Sequence, residues 1–439
     1  MIAAIAVMII GAYRGIKAIP LTILAAIVVI VTNGLPVWQS LSTTYAGGFG
    51  GVVASYFFIF ISSAVYALIM EKTGCATAIG YKLVDWFGTK HVMLVSILFV
   101  SILTYGGVSV FVVIFATMPI LFILFREAGL PRHAVIAPFA VGSSTYATTT
   151  LPGTPALTNV IPSQLLGTPM TAAPVFSIVL AIIMFVLCYL YCIQLEKKCK
   201  AKAELWTYPA GYDASVLEVD RTTLPGIGVA FAPIILLIAF IVGGSIFRST
   251  FTFANDAALL TTLAMIFATL LCILLNIKNL SITSVKDIIG QGSLNGISAI
   301  VGLASVVAFG GVVSSSPAFQ EIVTWVLGLD MSPYVKGAFS TAVFAGITGS
   351  SSGGVRIMLN AMGDYFMASG VNLEVLHRLV AVAAGTFDSL PHASGIFLVM
   401  AMMGLTHKEA YKHFFWITVI IPLIITVIGT VAAMVIWPV

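Results

Sequence analysis

Long apolar runs alternate with short polar breaks along the chain, and the full runs reach about 20 residues, the length at which an α-helix crosses a bilayer's hydrocarbon layer. None shows the residue-by-residue alternation of an outer-membrane barrel strand. The pattern predicts an all-α polytopic membrane protein. In the first half it places spans over 1–13, 18–31 and 48–70, leaves 33–47 as a loop, and continues into the amphipathic stretch CATAIGYKLVDWFG on the membrane surface. Residues 90–126 hold two apolar runs interrupted by TYGGVS at 104–109, with basic residues at both ends. A segment whose ends share one side must enter and return, so a re-entrant hairpin is predicted, its tip surrounded by protein or a wet cavity. A helix over 133–166 is expected to break within 143–155.

A polar linker at 197–222 divides the chain near its middle, and the pattern before it returns after it. Residues 224–247, 257–277 and 290–313 read as spans, SPAFQEIVTWVLGLD as the amphipathic piece, 333–369 as a second hairpin and 372–405 as a second broken helix. TYGGVSVFVVI is echoed by SSGGVRIML, and TTTLPGTPALT at 148–158 by TFDSLPHASGI at 386–396. Five full crossings per half, an odd number, start the second half (223–439) from the side opposite to the first (1–196). Two inverted repeats with about ten spans in all are expected.

Charge orients this arrangement. Lys and Arg gather at 14–17, 72–90, 126–132 and in EKKCKAK at 196–202, whereas 33–47 and 152–171 carry no charge. Basic loops stay cytoplasmic, which puts both termini outside the cytoplasm and the protein in the cytoplasmic membrane of a bacterium. The first residues, MIAAIAVMIIGAYRG, lack a basic leader and read as a span rather than a removable signal. With 60% hydrophobic and 8% charged residues, a soluble core is excluded. A net charge of +4 without a basic stripe interleaved with aromatics excludes a nucleic-acid partner, and leaves membrane lipid as the surroundings. The five cysteines show no paired ligand spacing and read as packing residues, so neither a metal nor a cofactor is expected.

Inverted repeats place a binding site near the bilayer midplane, where discontinuous helices expose backbone and helix N-termini. Four polar breaks qualify: the hairpin tips at 105–109 (with Gly106, Gly107 and Ser109) and 349–354, and the breaks at 143–155 and 386–394, each with a Leu-Pro pair. Ser350, Ser351 and Ser352 offer donors to a carboxylate or hydroxyl, with Gly353 and Gly354 allowing close backbone approach. The alternative for these small residues is helix–helix packing. Arg356 needs an anion, either a substrate carboxylate or a structural partner such as Asp364 or Asp388. Asp388 and His392 suit a proton relay, although His392 could equally bond a freed carbonyl. Thr148, Thr149, Thr150, Thr154 and Asn159 supply neutral donors, unless the threonines satisfy their own helix. His133, His377 and Arg378 read as interfacial anchors, and His407, Lys408, Lys412 and His413 as cytoplasmic surface.

ATTTLPGTPALTNVIP, GITGSSSGGVRI and DSLPHASG followed by GLTHKEAYK resemble the gluconate/proton symporter family of the ion-transporter superfamily, with DSLPH similar to its D-β-hydroxybutyrate permease branch. The resemblance covers nearly the whole chain. It implies proton-coupled uptake of a small hydroxy-monocarboxylate such as 3-hydroxybutyrate or gluconate, by a scaffold and a transport domain that moves as an elevator. By analogy with other elevator scaffolds, a homodimer is expected. Sodium coupling stays open as an alternative, as does a passive anion channel. No nucleophile–base spacing supports an enzyme.

Overall fold

The computed structural model describes residues 2–439 except 15, 17, 108–109, 209–219, 248–249, 279, 281 and 392. Among the described residues every regular element is a helix. Six helices are long and apolar enough to cross a membrane: Val37–Lys72, Pro174–Ala201, Ile227–Gly244, Ala257–Leu275, Ser284–Ser314 and His407–Ile436. Ile2–Tyr13 and Ala18–Thr32, about 18 and 22 Å long by the α-helical rise, fall short of a full hydrocarbon thickness. Ile182, Val186 and Leu190 on one long helix, and Val427, Val431 and Val435 on another, face outward. An apolar exterior of this kind suits lipid as its solvent.

Two of the long helices form a central antiparallel pair, Val37–Lys72 against Ile282–Ser314. Their approach depends on glycine. A Cβ on Gly292 would lie 2.8 Å from Val65 Cα, and one on Gly296 would lie 2.8 Å from the Phe60 carbonyl oxygen. Further along the pair, Gly48 meets Ala308 and Gly311 meets Thr44. Helices in lipid associate through such small-residue contacts because apolar burial supplies no net drive there.

The loop expected at 33–47 is mostly helix. Val37–Gln39 leads through a π-helical stretch, Ser40–Tyr45, into Ala46–Lys72. Only Ser40 and Tyr45 of this stretch are buried, so the missing charge suits a largely exposed apolar helix as well as a loop, and no proline follows Pro36 to stop the helix.

The first hairpin pairs Val92–Tyr105 with Val110–Glu127, and the second pairs Pro333–Thr348 with Ser351–Ala368. Each is followed by an interrupted helix: Ile136–Ser144, Tyr146–Thr149 and Leu157–Leu166 in the first half, Leu373–Phe387 and Ser394–Met403 in the second. The order of amphipathic helix, hairpin, broken helix and long terminal helix thus recurs in both halves. The segment expected as a polar linker is partly docked where it is described. The helix Pro174–Ala201 overruns its start, Trp206 packs edge-on to Phe122 with centroids 5.2 Å apart, and Arg126 Nη1 donates to the Tyr208 hydroxyl at 2.8 Å.

Candidate functional site

Each hairpin tip is seated on the break of the helix that follows it in sequence. At the first, the Tyr105 hydroxyl donates to the Pro152 carbonyl at 2.7 Å. At the second, Gly346 allows Phe387 to approach, since a Cβ there would lie 2.9 Å from Phe387 Cβ, and the Ser351 hydroxyl reaches the Asp388 carboxylate.

The first break is closed on itself. Thr148 and Thr149 turn their hydroxyls back to the Thr145 carbonyl, at 3.1 and 2.9 Å, as threonines in apolar helices commonly do. The Thr149 and Thr150 hydroxyls lie 3.2 Å apart, Thr150 reaches Met184 Sδ at 3.7 Å, and Thr158 donates to the Thr148 carbonyl at 2.7 Å. Asn159 is the hub. Its Nδ2 donates to the carbonyls of Thr154 and Met170, both at 2.9 Å, and its Oδ1 faces His377 Nε2 at 2.8 Å and Arg378 Nη2 at 3.2 Å. A side-chain amide has two donors and two lone pairs, and all four are engaged. In this arrangement Asn159 has nothing left for a solute.

The interfacial positions expected for His377 and Arg378 are not found; both side chains are fully buried. They project from Leu373–Phe387 into the first break, where Gly385 lets Thr149 approach. Since the Asn159 amide nitrogen faces two carbonyls, its oxygen must accept, which fixes Nε2 of His377 as the protonated ring nitrogen. Nδ1 meets the Thr168 hydroxyl at 2.6 Å. Arg378 also donates from Nη2 to the Ala172 carbonyl at 3.3 Å and from Nη1 to that of Thr149 at 3.5 Å, while its Nε has no acceptor. Among the described residues its hydrogen-bond acceptors are all neutral oxygens. The signal in the sequence was the HR pair inside an otherwise apolar helix; what it lacked was the identity of the neighbouring helix that buries it.

Among the described residues the second break has fewer such ties. Asp388 ends Leu373–Phe387, is half-buried, and accepts from Ser389 Oγ at 2.8 Å, with the Ser351 hydroxyl on the side of its carboxylate. The tip expected at 349–354 is shorter than predicted. Only Gly349, at φ +62°, and Ser350 make the turn; Ser351 opens the next helix. Ser350 is its N-cap, with Oγ accepting from the Gly353 amide at 3.2 Å, and Ser352 Oγ lies 3.5 Å from Ser350 Oγ. Gly353 and Gly354 serve packing rather than solute approach: a Cβ on Gly354 would sit 2.4 Å from the Ala345 nitrogen, and one on Gly353 would sit 3.1 Å from Val306.

Arg356 lies away from the tip. Its guanidinium stands 5.1 Å from the Tyr56 ring centroid, and the Tyr56 hydroxyl donates to Gln164 Oε1 at 2.9 Å. This joins the second hairpin, the first broken helix and the span Val37–Lys72. Among the described residues no carboxylate pairs with Arg356 or Arg378, so neither Asp364 nor Asp388 is the structural partner considered for Arg356. Gly106 and Gly107 are buried, with the Gly107 carbonyl accepting from Ser63 Oγ at 2.9 Å, and a Cβ on Gly107 would meet Met265 at 2.3 Å. The described part of that tip, Gly106 and Gly107, packs against neighbouring spans. Ser109 and His392 lie outside the described residues.

Comparison with known proteins places these features in context. The model of the family described as GntP family permease matches residues 1–437. An uncharacterized transporter, YxjC of Bacillus subtilis (strain 168), is 30% identical over 443 residues, covering 93% of each chain. Among solved structures, the Alcanivorax borkumensis YdaH transporter, reported to have an unusual topology, is similar in fold with a TM-score of 0.55 at 15% identity, covering 91% of this chain and 88% of that one.

Proposed function

The chain belongs to the GntP permease family, and from that premise we propose that it is a proton-coupled symporter of a small hydroxy-monocarboxylate, 3-hydroxybutyrate-like or gluconate-like, in the cytoplasmic membrane. The observation that carries this reading is the pair of guanidiniums, Arg356 and Arg378, set beside the broken helices with no carboxylate among the described residues paired to either of them. An unpaired guanidinium at membrane depth costs at least about 2.5 kcal/mol on insertion scales. A substrate carboxylate offsets that cost, and Arg binds one in a planar fork. Arg356, half-buried beside Tyr56, is the arginine a solute reaches; Arg378 holds the frame and adds positive field behind it. The antiparallel central pair and the recurring element order support two inverted repeats, and the positions of the basic loops support both termini outside the cytoplasm. An elevator movement of the hairpins and broken helices against the central pair then carries the site across.

Asp388 is the coupling acid in this scheme. It sits where the second hairpin meets the second break, so its protonation acts on the contact between Ser351 and the carboxylate. Asp388→Asn is nearly isosteric and permanently neutral. In proteoliposomes it should exchange labelled for unlabelled substrate yet fail to accumulate it when the outside is acidified. Accumulation equal to the parent's moves coupling elsewhere, and loss of exchange makes Asp388 a binding or structural ligand. For the anion site, a panel of small carboxylates should raise the unfolding temperature of the purified parent but not of Arg356→Gln, whose own unfolding stays near the parent's. Equal ligand-induced shifts in both would remove Arg356 from the site. An imposed sodium gradient that drives uptake at equal pH would replace the proton with sodium.

A further inference from the structure

We propose that His133, Cys199 and Glu204 form a binding site for a transition-metal cation of the zinc type, apart from the transport pathway. His133 lies in the turn Arg132–Val135 before the first broken helix, Cys199 near the end of Pro174–Ala201, and Glu204 just beyond it. Their ligand atoms all lie within 4.8 Å of one another. His133 Nε2 is 3.3 Å from Glu204 Oε2 and 3.8 Å from Cys199 Sγ. With Zn–N and Zn–O bonds near 2.0–2.1 Å and Zn–S near 2.3 Å, the edges of a tetrahedral site come to about 3.3–3.6 Å. His133 and two side chains five residues apart at the end of Pro174–Ala201 therefore stand with two of their three separations, 3.3 and 3.8 Å, close to metal-ligand edges before any ion is added.

A further observation favours a cation over a simple ion pair. Glu204 Oε2 is buried and has no hydrogen-bond donor, although it faces the imidazole. Neutral imidazole is the form that takes a metal. One thiolate, one imidazole and one carboxylate make a donor set of mixed softness that suits zinc or cobalt better than calcium or magnesium.

The surroundings limit the charge. Lys202 Nζ lies 3.7 Å from the other Glu204 oxygen, and Lys412 and Glu409 act on His133 with opposite signs. The His413 ring, expected at the surface, is buried and stacks on His133 at 5.5 Å, its Nδ1 held by the Tyr191 hydroxyl at 2.9 Å. A bound ion would tie the linker's start to the entrance of the first broken helix, with water or a fourth side chain completing the shell.

Cobalt(II) titration of the purified full-length chain tests this, because thiolate ligation gives near-ultraviolet charge-transfer absorption and four-coordination gives intense visible bands. One equivalent should develop both, and zinc should displace them. Cys199→Ser should abolish the charge-transfer band, and His133→Gln and Glu204→Gln should each weaken binding more than about tenfold. Zinc should raise the unfolding temperature of the parent and leave that of Cys199→Ser unmoved. No band in the parent, or a band that persists in Cys199→Ser, overturns the proposal.

Discussion

The two broken helices occupy equivalent places in their halves, yet their polar atoms are used differently. At the first break the threonine hydroxyls, the Asn159 amide and the Pro152 carbonyl are engaged within the protein, and two cationic or basic side chains from the other half complete the set. At the second, an acid stands with two serine hydroxyls at the end of a helix, and the carbonyls of Ser389 and Pro391 face Tyr411 and His407 at 3.3 and 3.2 Å. A densely bonded buried network of this kind resists movement even with Arg378 Nε left over, because moving any other member leaves its partner unpaired. An acid with few partners can change its protonation at smaller structural cost. The contrast suggests a division of labour between halves, with one break serving as a frame and the other carrying the ionisable group.

The contrast breaks most visibly at Asn159. Asn159→Leu removes both donors and the acceptor at once, leaving Arg378, the His377 N–H and the Thr154 and Met170 carbonyls short of partners. Disrupting a buried network around a charge costs about 3–5 kcal/mol, enough to show as loss of monodisperse protein or a large drop in unfolding temperature in detergent. Asp388→Asn should cost less than about 1 kcal/mol, since an amide oxygen still accepts from the serines. Similar losses in the two variants would end the distinction between frame and coupling break.

Much of the architecture was legible because it is written in breakers. Glycine, proline and hydroxyl clusters interrupt otherwise apolar runs at 104–109, 143–155, 349–354 and 386–394, and the helices do turn or break within or at the edge of each of these stretches. Roles within the breaks were less legible, since they depend on which helices face each other. Asn159 read as a ligand for a solute because its partners come from residues 154, 170, 377 and 378. His377 and Arg378 read as anchors for the same reason: a strongly polar pair beside apolar residues fits either a membrane surface or a buried network. The threonine run is the instructive case in the other direction, because bonding to its own helix was foreseeable from hydroxyls spaced to reach the preceding turn.

The smallest expected effects lie in the serine run, where the second hairpin meets the second break. Ser350 caps a helix, Ser351 faces Asp388, and Ser352 makes only a long contact to Ser350. Losing an N-cap costs about 1 kcal/mol, so Ser350→Ala should lower the unfolding temperature modestly whether or not substrate is present. Ser352→Ala should stay within about 0.5 kcal/mol of the parent. Ser351→Ala should be equally mild in unfolding, yet of the three it alone should displace the pH profile of uptake, because among these serines it is the one that stands by the carboxylate. The three measurements separate a cap, a bystander and a coupling contact within one short stretch. If Ser350→Ala and Ser351→Ala move the pH profile alike, the hydroxyls act by shaping the tip as a whole, and the link between Ser351 and Asp388 loses its special place; if Ser351→Ala leaves the profile where it is, the second break differs from the first only in having fewer bonds.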